Sequence, residues 1–538
     1  ESPELTFDYT PPHRGVVIRV SQDATYENGR LTFAVAIPPK VSWELRIHVT
    51  PQPRLSIHES KDERTSFETP HSATLTADVL ATLEQARSDL EALRLFDLDT
   101  PHGWTVAAGL PLYIALFGRD TLTAGWQASV LGPEMLAGAL HALAELQGTR
   151  VDDWRDEQPG KMLHEAHTGP LSILELNPRK RSYSSITTSA LYPFIVAELW
   201  HWTGDKDLVR PFIEPALRAL QWHDHGGDLD GDGFSEYLTR SPMGPRHQAW
   251  KDSSDAIVYE DGTLVEPPIA TCEEQAFTYV AKLHLAETTW WLGEHDLAQR
   301  LYREASELKK RFNDAFWMED EGFYAMALDS QKRQVRSIGS NAGHCIASAI
   351  TDASLVTRTA DRLFADDLFS GWGIRTLSSD HPRYNPYSYH LGSIWPVEHG
   401  TFAIGFWRYG LHDRVEQIAR AQFEAATLFE FHRLPELFGG HPRDERHPFP
   451  ATYPNTCSPQ AWSSSSVFSL LLAMLGLYAY APLQLLIVDP HLPEWLPEIT
   501  LRDLRVGQAR VTIRFYGRNF EILDQRGKLR VVQQPTPW

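Results

Sequence analysis

The chain has 538 residues, with 70 acidic against 50 basic side chains and a net charge of −20. This charge argues against nucleic acid and anionic membranes as partners, since both would repel the protein, and a neutral ligand is more natural. With 42% apolar and 22% charged residues, the composition is that of a soluble globular protein, and the length predicts a large central domain with smaller additions.

The cysteines and the first residue of the sequence indicate in which cellular compartment we expect the protein. Cys272, Cys345 and Cys457 are widely spaced and odd in number, which fits neither a disulfide framework nor a zinc site, so we expect a reducing, cytoplasmic compartment. The sequence begins at Glu1 rather than Met, which leaves a processed N-terminus open.

The longest apolar run, 467–481, is shorter than the roughly 20 residues of a membrane-spanning helix and predicts a buried core helix.

Residues 1–75 predict a small β domain. The runs GVVIRV, LTFAVAI and WELRIHV are rich in β-branched residues, alternate in part, and are separated by turn-forming residues. A polar segment follows, after which the apolar period changes from that of strands to that of helices. We therefore place a domain boundary at residue 75.

The helical period dominates over residues 76–481. Three junctions, HWTGDKDLV, WWLGEHDLA and RYGLHDRV, combine a helix-ending Gly with a following Asp or His, and so predict tight αα-hairpins. The predicted helices are 77–95, 119–130, 133–147, 186–203, 207–225, 272–292, 294–317, 343–350, 353–364, 393–409, 412–430 and 462–480.

Long segments provide the other connections between these helices. Tight turns alternating with long loops predict a ring of hairpins whose loops gather on one face, and long ordered loops are usually functional. We therefore predict a mainly α fold: an (α/α)6 toroid as the catalytic domain over 76–481, the N-terminal β domain, and a C-terminal β cap over 482–538 with strands in IVDPHLPEWLPEITL and ARVTIRFYG. A superhelical repeat array is the alternative, which the unequal loops disfavour.

Two acidic residues in the long loops are candidates for acid–base chemistry. Glu436 lies in FHRLPELFGGHPRD, between a proline and a glycine turn, and Asp252 lies in RHQAWKDSSDA. Hydrolysis of a glycosidic bond needs two such carboxyls converging from different loops. Asp255 competes with Asp252, and a structural ion pair is the alternative role for Glu436.

Other loop segments supply groups that suit a sugar. Arg119 beside Asp120 in FGRDTL offers charge-assisted hydrogen bonds to a hydroxyl, or forms a structural ion pair. Pyranose faces pack on aromatic rings, while fixed polar groups bind the rim hydroxyls. The segments SGWGIRTLS and YNPYSYHLGSIWPVEHG combine both kinds of group in Trp372, Tyr389, His390, Trp395, Glu398 and His399.

The segment GDLDGDGFSEYL at 227–238 is acidic at Asp228, Asp230, Asp232 and Glu236. It resembles a calcium loop without the full helix–loop–helix spacing, so we predict no metal and instead a hydrated or lysine-paired turn. Walker, dinucleotide, HExxH and GxSxG motifs are absent from the sequence, and we predict no cofactor.

Eight segments resemble, in order and spacing, the bacterial amylo-α-1,6-glucosidase family, which is glycogen-debranching-like. They are FGRDTL, GDGFSEY, QAWKDSSDA, EEQAF, SNAGH, NPYSYHLGSIWPVEHG, LPELFGG and CSPQAWSSSSVFSLLLAMLGL, within about residues 100–480. The resemblance implies an inverting (α/α)6 glycoside hydrolase with an Asp general acid at the WKD position and a Glu general base at the PEL position. Carried onto this sequence, these are Asp252 and Glu436.

The resemblance also implies substrate contacts, and the sequence departs from the family in its shorter N-terminal part and in the second Glu of EEQAF. Trp250 and Lys251 directly precede the implied acid, and together with burial of the loop they would set its proton affinity. The predicted substrate-binding residues are Arg119, Asp120, Trp250, Lys251, Glu273, Gln275, Trp372, Tyr389, His390 and Trp395.

We therefore predict an inverting hydrolase that releases glucose from an α-glucoside, either an α-1,6-linked or related oligosaccharide or a glucosylated metabolite. Two alternatives stay open. One is a sugar epimerase or isomerase on the same fold, working through paired His390 and His399. The other is a glycan-binding protein without turnover. The sequence specifies neither the linkage, the aglycone nor the oligomeric state.

Overall fold

The structure is a computed structural model that describes residues 4–9, 14–27, 30–53, 65–70 and 74–535. The chain divides into two compact units, Glu1–Glu63 and Arg64–Trp538. In the first unit, Glu4–Tyr9, Arg14–Val20 and Ile47–Pro53 form an antiparallel sheet, and Thr25–Glu27 pairs with Arg30–Thr32.

The predicted strand LTFAVAI is mostly wrong. Only its first two residues belong to the strand Arg30–Thr32, and the chain from 33 to 37 has no strand assignment. Val35 is 40% exposed and Ile37 is 55% exposed, so their side chains are not packed as an alternating strand requires.

The second unit is mainly helical, and each of the twelve predicted helices is confirmed to within a few residues. The single turn α4 was not predicted. Among the described residues, none of the helices is long and apolar enough to cross a membrane. The helices are α1 (Thr74–Ala92), α2 (Gly118–Gln127), α3 (Glu134–Glu145), α4 (Pro170–Ile173), α5 (Thr187–Thr203), α6 (Lys206–Trp222), α7 (Cys272–Leu292), α8 (His295–Phe316), α9 (Asn341–Ala347), α10 (Val356–Leu363), α11 (Pro396–Arg408), α12 (His412–Leu428) and α13 (Ala461–Leu475).

Glycine caps make the three predicted hairpin turns. Gly204 ends α5 with φ 60°, and Asp205 then caps α6 by accepting from two backbone N–H groups at 3.0 and 3.1 Å. Gly293 ends α7 with φ 94°, and Gly410 follows α11 with φ 72°. Glycine reaches this left-handed backbone without a steric cost, which is why the turns are so short.

Six helices contact one another in a closed cycle. In this cycle α2 packs on α5, α5 on α7, α7 on α9, α9 on α11, α11 on α13, and α13 returns to α2. Helices α3, α6, α8, α10 and α12 pack against members of the cycle. Each long loop leads into the N-terminus of a cycle helix, so the loops gather where these N-termini lie.

Two sheets at the end of the chain confirm the predicted C-terminal strands. One has the order Asn519–Arg526, Ala509–Tyr516, Glu498–Val506, Ser66–Glu68, and the other Tyr478–Tyr480, Leu485–Val488, Arg530–Gln533. The strands from 519 onward were not predicted, because their side chains are largely exposed and give no alternating pattern.

The remaining strands are two-residue pairings between helices. They are Leu116–Phe117 with Glu165–Ala166, Trp317–Met318 with Phe323–Tyr324, Ala327–Leu328 with both Gln334–Val335 and Ala270–Thr271, and Phe438–Gly439 with Ala451–Thr452.

A lysine fills the acidic loop at 227–238. The Nζ atom of Lys332 lies 3.0 Å from Asp230 Oδ2 and 2.8 Å from Asp232 Oδ2, and it also bonds to Glu236. Asp228 instead accepts from two backbone N–H groups of its own loop, at 2.7 and 3.0 Å. Burial alone would lower the pKa of Lys332, but its bonds to the three carboxylates raise it above the ordinary value. The ammonium group thus takes the place of a bound cation.

Replacing Lys332 with Met should lower the free energy of unfolding by about 1–3 kcal/mol, because the Glu236 side chain, only 2% exposed, then loses its charged partner. Urea unfolding followed by circular dichroism measures this change. Lys310→Met is the control, since Lys310 is exposed on α8. Equal stability of the two variants would contradict a stabilising role for Lys332.

Candidate active site

A cavity of about 360 Å³ opens among the long loops of the second unit. Its wall combines carboxyl groups, aromatic rings and two arginines. Eight of the twelve predicted site residues line it: Arg119, Asp120, Trp250, Asp252, Tyr389, His390, Trp395 and Glu436.

Asp252 is held by an ion pair with Arg119. The Nη2 atom of Arg119 lies 2.7 Å from Asp252 Oδ2. The same guanidinium donates to the backbone oxygens of Ala249, at 2.9 Å, and Trp250, at 3.2 Å, so it fixes the loop as well as its carboxyl. Burial alone would raise the pKa of Asp252, but the adjacent Arg119 brings it below its ordinary value. In this arrangement Asp252 is ionised at neutral pH.

Glu436 is the second predicted catalytic carboxyl in the cavity, and it is only 1% exposed. The Tyr389 hydroxyl donates to its Oε1 at 2.5 Å, and the Cys457 backbone N–H donates to its Oε2 at 3.2 Å. Burial raises the pKa of Glu436 to about 7; the two hydrogen bonds oppose this rise, and the charge of Asp252 adds to it. Glu436 therefore exchanges its proton close to neutral pH.

The loop that carries Glu436 is anchored to α1. Arg433 forms a two-bond ion pair with Asp89, at 2.6 and 2.7 Å, and His432 lies 3.1 Å from Asp78. Both side chains are thus engaged with α1. They position the loop rather than contact the Glu436 carboxyl.

Asp120 adds a third carboxyl to the cavity. It lies in the first turn of α2, and Gln460 donates to its Oδ1 at 3.2 Å. Burial raises the pKa of Asp120 to about 8, against the lowering effect of Arg119. At neutral pH Asp120 is therefore largely protonated and offers a donor to a sugar hydroxyl.

Three tryptophans pack edge to face in the cavity wall. The ring centroids of Trp250 lie 5.3 Å from those of Trp395 and 5.2 Å from those of Trp462. His390 stacks on Trp395 at 5.1 Å with an angle of 14°. Burial lowers the pKa of His390 to about 3, so the imidazole is neutral. This wall offers apolar faces to a pyranose ring.

Lys251, Glu273, Gln275 and Trp372 were predicted as substrate contacts but support the site from behind. Lys251 is fully buried and donates to Asn341 Oδ1 and to the Thr376 carbonyl, both at 2.6 Å. Asn341 in turn donates to Glu273 at 2.9 Å.

The other two of these side chains are likewise engaged with protein groups. Gln275 exchanges hydrogen bonds with the backbone of Ser235, at 2.9 and 2.8 Å. Trp372 is 1% exposed, and the Arg443 guanidinium lies 4.1 Å from the centre of its ring. All four side chains are enclosed by other protein groups, so no contact in this structure supports a role for them in sugar binding.

Asp255 and His399 also lie outside the cavity lining. The Ser253 hydroxyl donates to Asp255 at 3.0 Å, and Ser253 itself lines the cavity. Both nitrogens of His399 bond to backbone, one accepting from Ile374 N–H and one donating to the Trp395 carbonyl, each at 2.7 Å. His399 therefore has no ring nitrogen left for acid–base work on a sugar.

Several residues that line the cavity could not be predicted from the sequence. On the rim, Glu165 lies 2.7 Å from His167 and 3.5 Å from Arg179, whose side chain is 58% exposed. Trp462 lies in the segment CSPQAW, which carries part of the family resemblance. The rim residues come from loops that have neither a motif nor an apolar period. The sequence therefore predicts only that they lie in long loops. The missed lining residues are Tyr113, Phe117, His164, Glu165, Pro178, Arg179, Ser182, Ser184, Met243, Gly244, Pro245, Ser253 and Trp462.

The family model described as "Mannosylglycerate hydrolase MGH1-like glycoside hydrolase domain" matches residues 153–430, just over half of the chain. The chain belongs to this family. The predicted glycoside hydrolase class is thereby confirmed, whereas the amylo-α-1,6-glucosidase subtype is finer than the match supports. The matched region includes Asp252 and ends shortly before Glu436.

Solved structures share the fold at low sequence identity. The GH63 mannosylglycerate hydrolase from Thermus thermophilus in complex with Tris has a TM-score of 0.52 at 13% identity, over 72% of this chain and 99% of that one. The GH78 family rhamnosidase of Bacillus sp. GL1 has a TM-score of 0.62 at 11% identity, over 99% of this chain and 54% of that one. No curated protein matches the sequence. The fold is that of mainly helical glycosidases.

Replacing Tyr389 with Phe should raise the pKa of Glu436 above about 7, because the lost hydroxyl stabilises the ionised carboxylate. Carbon-13 NMR of glutamate-labelled protein, with Glu436→Gln to assign the signal, measures the titration. Tyr384→Phe is the matched control, since the Tyr384 hydroxyl bonds to the Gly440 carbonyl at 2.8 Å. An unchanged or lower pKa in Tyr389→Phe would contradict this geometry.

Proposed function

We propose that this protein is an inverting glycoside hydrolase that releases glucose from a small α-glucoside. The observation that supports the proposal is that Asp252 and Glu436, from loops far apart in sequence, line one cavity walled by aromatic rings. Two carboxyls on either side of a bound sugar are what glycoside hydrolysis requires. Membership of the glycoside hydrolase family supports the reaction class.

We also propose that residues 76–481 form an (α/α)6 toroid. The cycle α2, α5, α7, α9, α11, α13 supports six inner helices, and the helices packed against them supply an outer layer. In this arrangement the loops of all inner helices meet above one end of the ring. That is where the cavity residues come from.

In the proposed reaction, Asp252 is the general acid and Glu436 the general base. The ionised Glu436 takes a proton from water as the water oxygen bonds to the anomeric carbon. The bond from this carbon to the glycosidic oxygen breaks, and Asp252 gives its proton to that oxygen. The free sugar has the inverted configuration, because water attacks from the face opposite the leaving group.

For this reaction to occur, a proton must be moved to Asp252, the proposed acid. In the free protein Asp252 is ionised at neutral pH, whereas Glu436 takes up a proton as the pH falls through about 7. We propose that the working form carries this proton on Asp252 instead. A glycosidic oxygen beside Asp252 would compete with Arg119 for the carboxyl and so favour its protonated form. We infer that substrate binding redistributes the proton.

The cavity favours a small substrate. Its volume of about 360 Å³ lies at the lower end of the range for ligand pockets, about 300–1,000 Å³. A disaccharide or a glycosylated metabolite suits this size better than a polymer. Arg179 on the rim offers a cation to an acidic aglycone, and glycerate, which the name of the matching family contains, is such a group.

A sugar epimerase and a non-catalytic glycan-binding protein are less well supported. An epimerase working through paired histidines needs His399, whose ring nitrogens are both bonded to backbone. A binding protein would have no need for two buried carboxyls with raised pKa values, yet Glu436 and Asp120 both have them.

We keep the cytoplasm as the proposed location and a carbohydrate as the proposed partner. Cys272, Cys345 and Cys457 are buried and form no disulfide with one another. Such cysteines suit a reducing compartment.

Incubation with a panel of glycosides tests the proposed reaction. Proton NMR should show β-glucose as the first sugar released from an α-glucoside, before mutarotation. The panel contains isomaltose, maltose, and the α-glucosyl and α-mannosyl derivatives of glycerate. First release of α-glucose would contradict inversion, and release from the mannosyl compound alone would contradict the glucoside assignment.

Two carboxyl variants test the assigned roles. Asp252→Asn should lower kcat at least a hundredfold on glycosides with poor leaving groups but far less on α-glucosyl fluoride, whose departure needs little protonation. Glu436→Gln should slow both substrates alike, because water activation is lost in each case. Asp255→Asn is the matched control and should keep most activity. The reverse pattern would make Glu436 the acid and Asp252 the base.

A further inference from the structure

Two histidines and a glutamate form a buried cluster far from the cavity. His201 lies near the end of α5, about 20 Å along the helix from its N-terminus, and His284 lies in the second half of α7. Glu198 is one turn before His201. Their exposed fractions are 1% for His201, 3% for His284 and 8% for Glu198. The proposed reaction uses none of these groups.

We propose that Glu198, His201 and His284 bind a zinc ion. Two imidazoles and one carboxylate are a common ligand set for zinc, with bonds of about 2.0–2.2 Å. One donor atom from each residue lies within 4.8 Å of the others. Glu198 Oε1 is 3.5 Å from His201 Nδ1 and 4.0 Å from His284 Nδ1. Ligands on a tetrahedral zinc stand about 3.3 Å apart, so small rotamer shifts bring the three atoms to one ion.

The side chains that surround the His201 imidazole suit a role for this residue as a metal ligand. Its Nε2 atom lies 3.0 Å from Glu287 Oε2, and Glu287 also accepts from the Tyr480 hydroxyl. A carboxylate on the far nitrogen fixes the tautomer of a ligating histidine, here with Nδ1 directed to Glu198. The Tyr478 hydroxyl lies 3.3 Å from the same Nδ1, so it or a water provides a fourth ligand.

There is space for an ion beside the cluster. A small cavity of about 60 Å³ is lined by Glu198, His284, Arg408 and Tyr478, which is room for an ion with a water molecule. His284 also lines a larger groove along α7 and α8. His284 therefore lines both the groove and the small cavity beside the cluster.

Zinc must replace a proton in this cluster. The imidazole of His201 must give up any proton on Nδ1 to bind the ion, because only a free lone pair can coordinate zinc. The charge of Glu198 offsets that of Arg408, which lies beside the cavity. The carbonyl end of the α5 dipole also favours a cation at this position.

The other candidate metal groups in the described residues lack this geometry. His412 and His491 stack at 3.4 Å with an angle of 8°, so their in-plane lone pairs run parallel and do not converge on one ion. In the acidic loop, Lys332 already bonds to Asp230 and Asp232. A bound zinc at Glu198, His201 and His284 would join α5 to α7.

Calorimetric titration of tag-free, chelator-treated protein with zinc chloride tests the site. One zinc should bind per chain, and Glu287→Gln should weaken binding 10- to 100-fold through the lost outer carboxylate. His284→Gln should abolish that binding, whereas His412→Asn should leave it unchanged. Absence of stoichiometric binding, or full binding by His284→Gln, would overturn the proposal. Loss of binding in His412→Asn would place the ion at the surface cluster and overturn it as well.

A second measurement needs no variant and therefore stands even if His284→Gln does not fold. Cobalt(II) bound to the wild-type protein should show the intense visible absorption of a four-coordinate ion, and zinc should displace it. The weak spectrum of a six-coordinate aqueous ion, unaffected by zinc, would overturn the proposal.

Discussion

The ion pair between Arg119 and Asp252 is the interaction on which the cavity depends. Arg119 lies in the first turn of α2 and holds both the Asp252 carboxyl and the backbone just before it, so it ties a long loop to this helix. The same ion pair influences the protonation of the carboxyl groups in the cavity. With Asp252 ionised, its charge raises the pKa values of Glu436 and Asp120, which burial has already shifted towards neutrality. The guanidinium thus lowers the pKa values of Asp252 and Asp120 directly, and it affects Glu436 only through the charge of Asp252.

The helical framework was predictable because its causes are local. Apolar period and glycine caps define the helices, and the prediction ended one of them late, at 480, because Gly476 stops α13 with φ 58° while the apolar run continues into a strand. Asp252 and Glu436, which line the cavity, could be singled out because they lie in loops with recognisable motifs; their catalytic roles stay a prediction. For these features the sequence holds both the signal and its physical reason.

What the sequence did not provide are properties of tertiary packing. Lys251 and Glu273 were predicted to touch the sugar, yet both are buried behind the wall in a network centred on Asn341. The rim with Arg179 comes from loops without period or motif. The protonation states of the cavity carboxyls follow from burial and from one ion pair between residues that are distant in sequence. The spacing of residues along the sequence reveals neither cause. Glu198 and His284 are likewise distant in sequence and meet only because α5 packs on α7.

A crystal structure of Glu436→Gln with an unhydrolysed α-glucoside tests the central claim most directly. The account predicts that the glycosidic oxygen lies within about 2.6–3.2 Å of an Asp252 oxygen and that a water lies beside residue 436 on the opposite face of the sugar. It also predicts that Arg119 has moved away from the Asp252 oxygen which meets the substrate. A glycosidic oxygen beside residue 436, with the ion pair between Arg119 and Asp252 intact, would contradict the account.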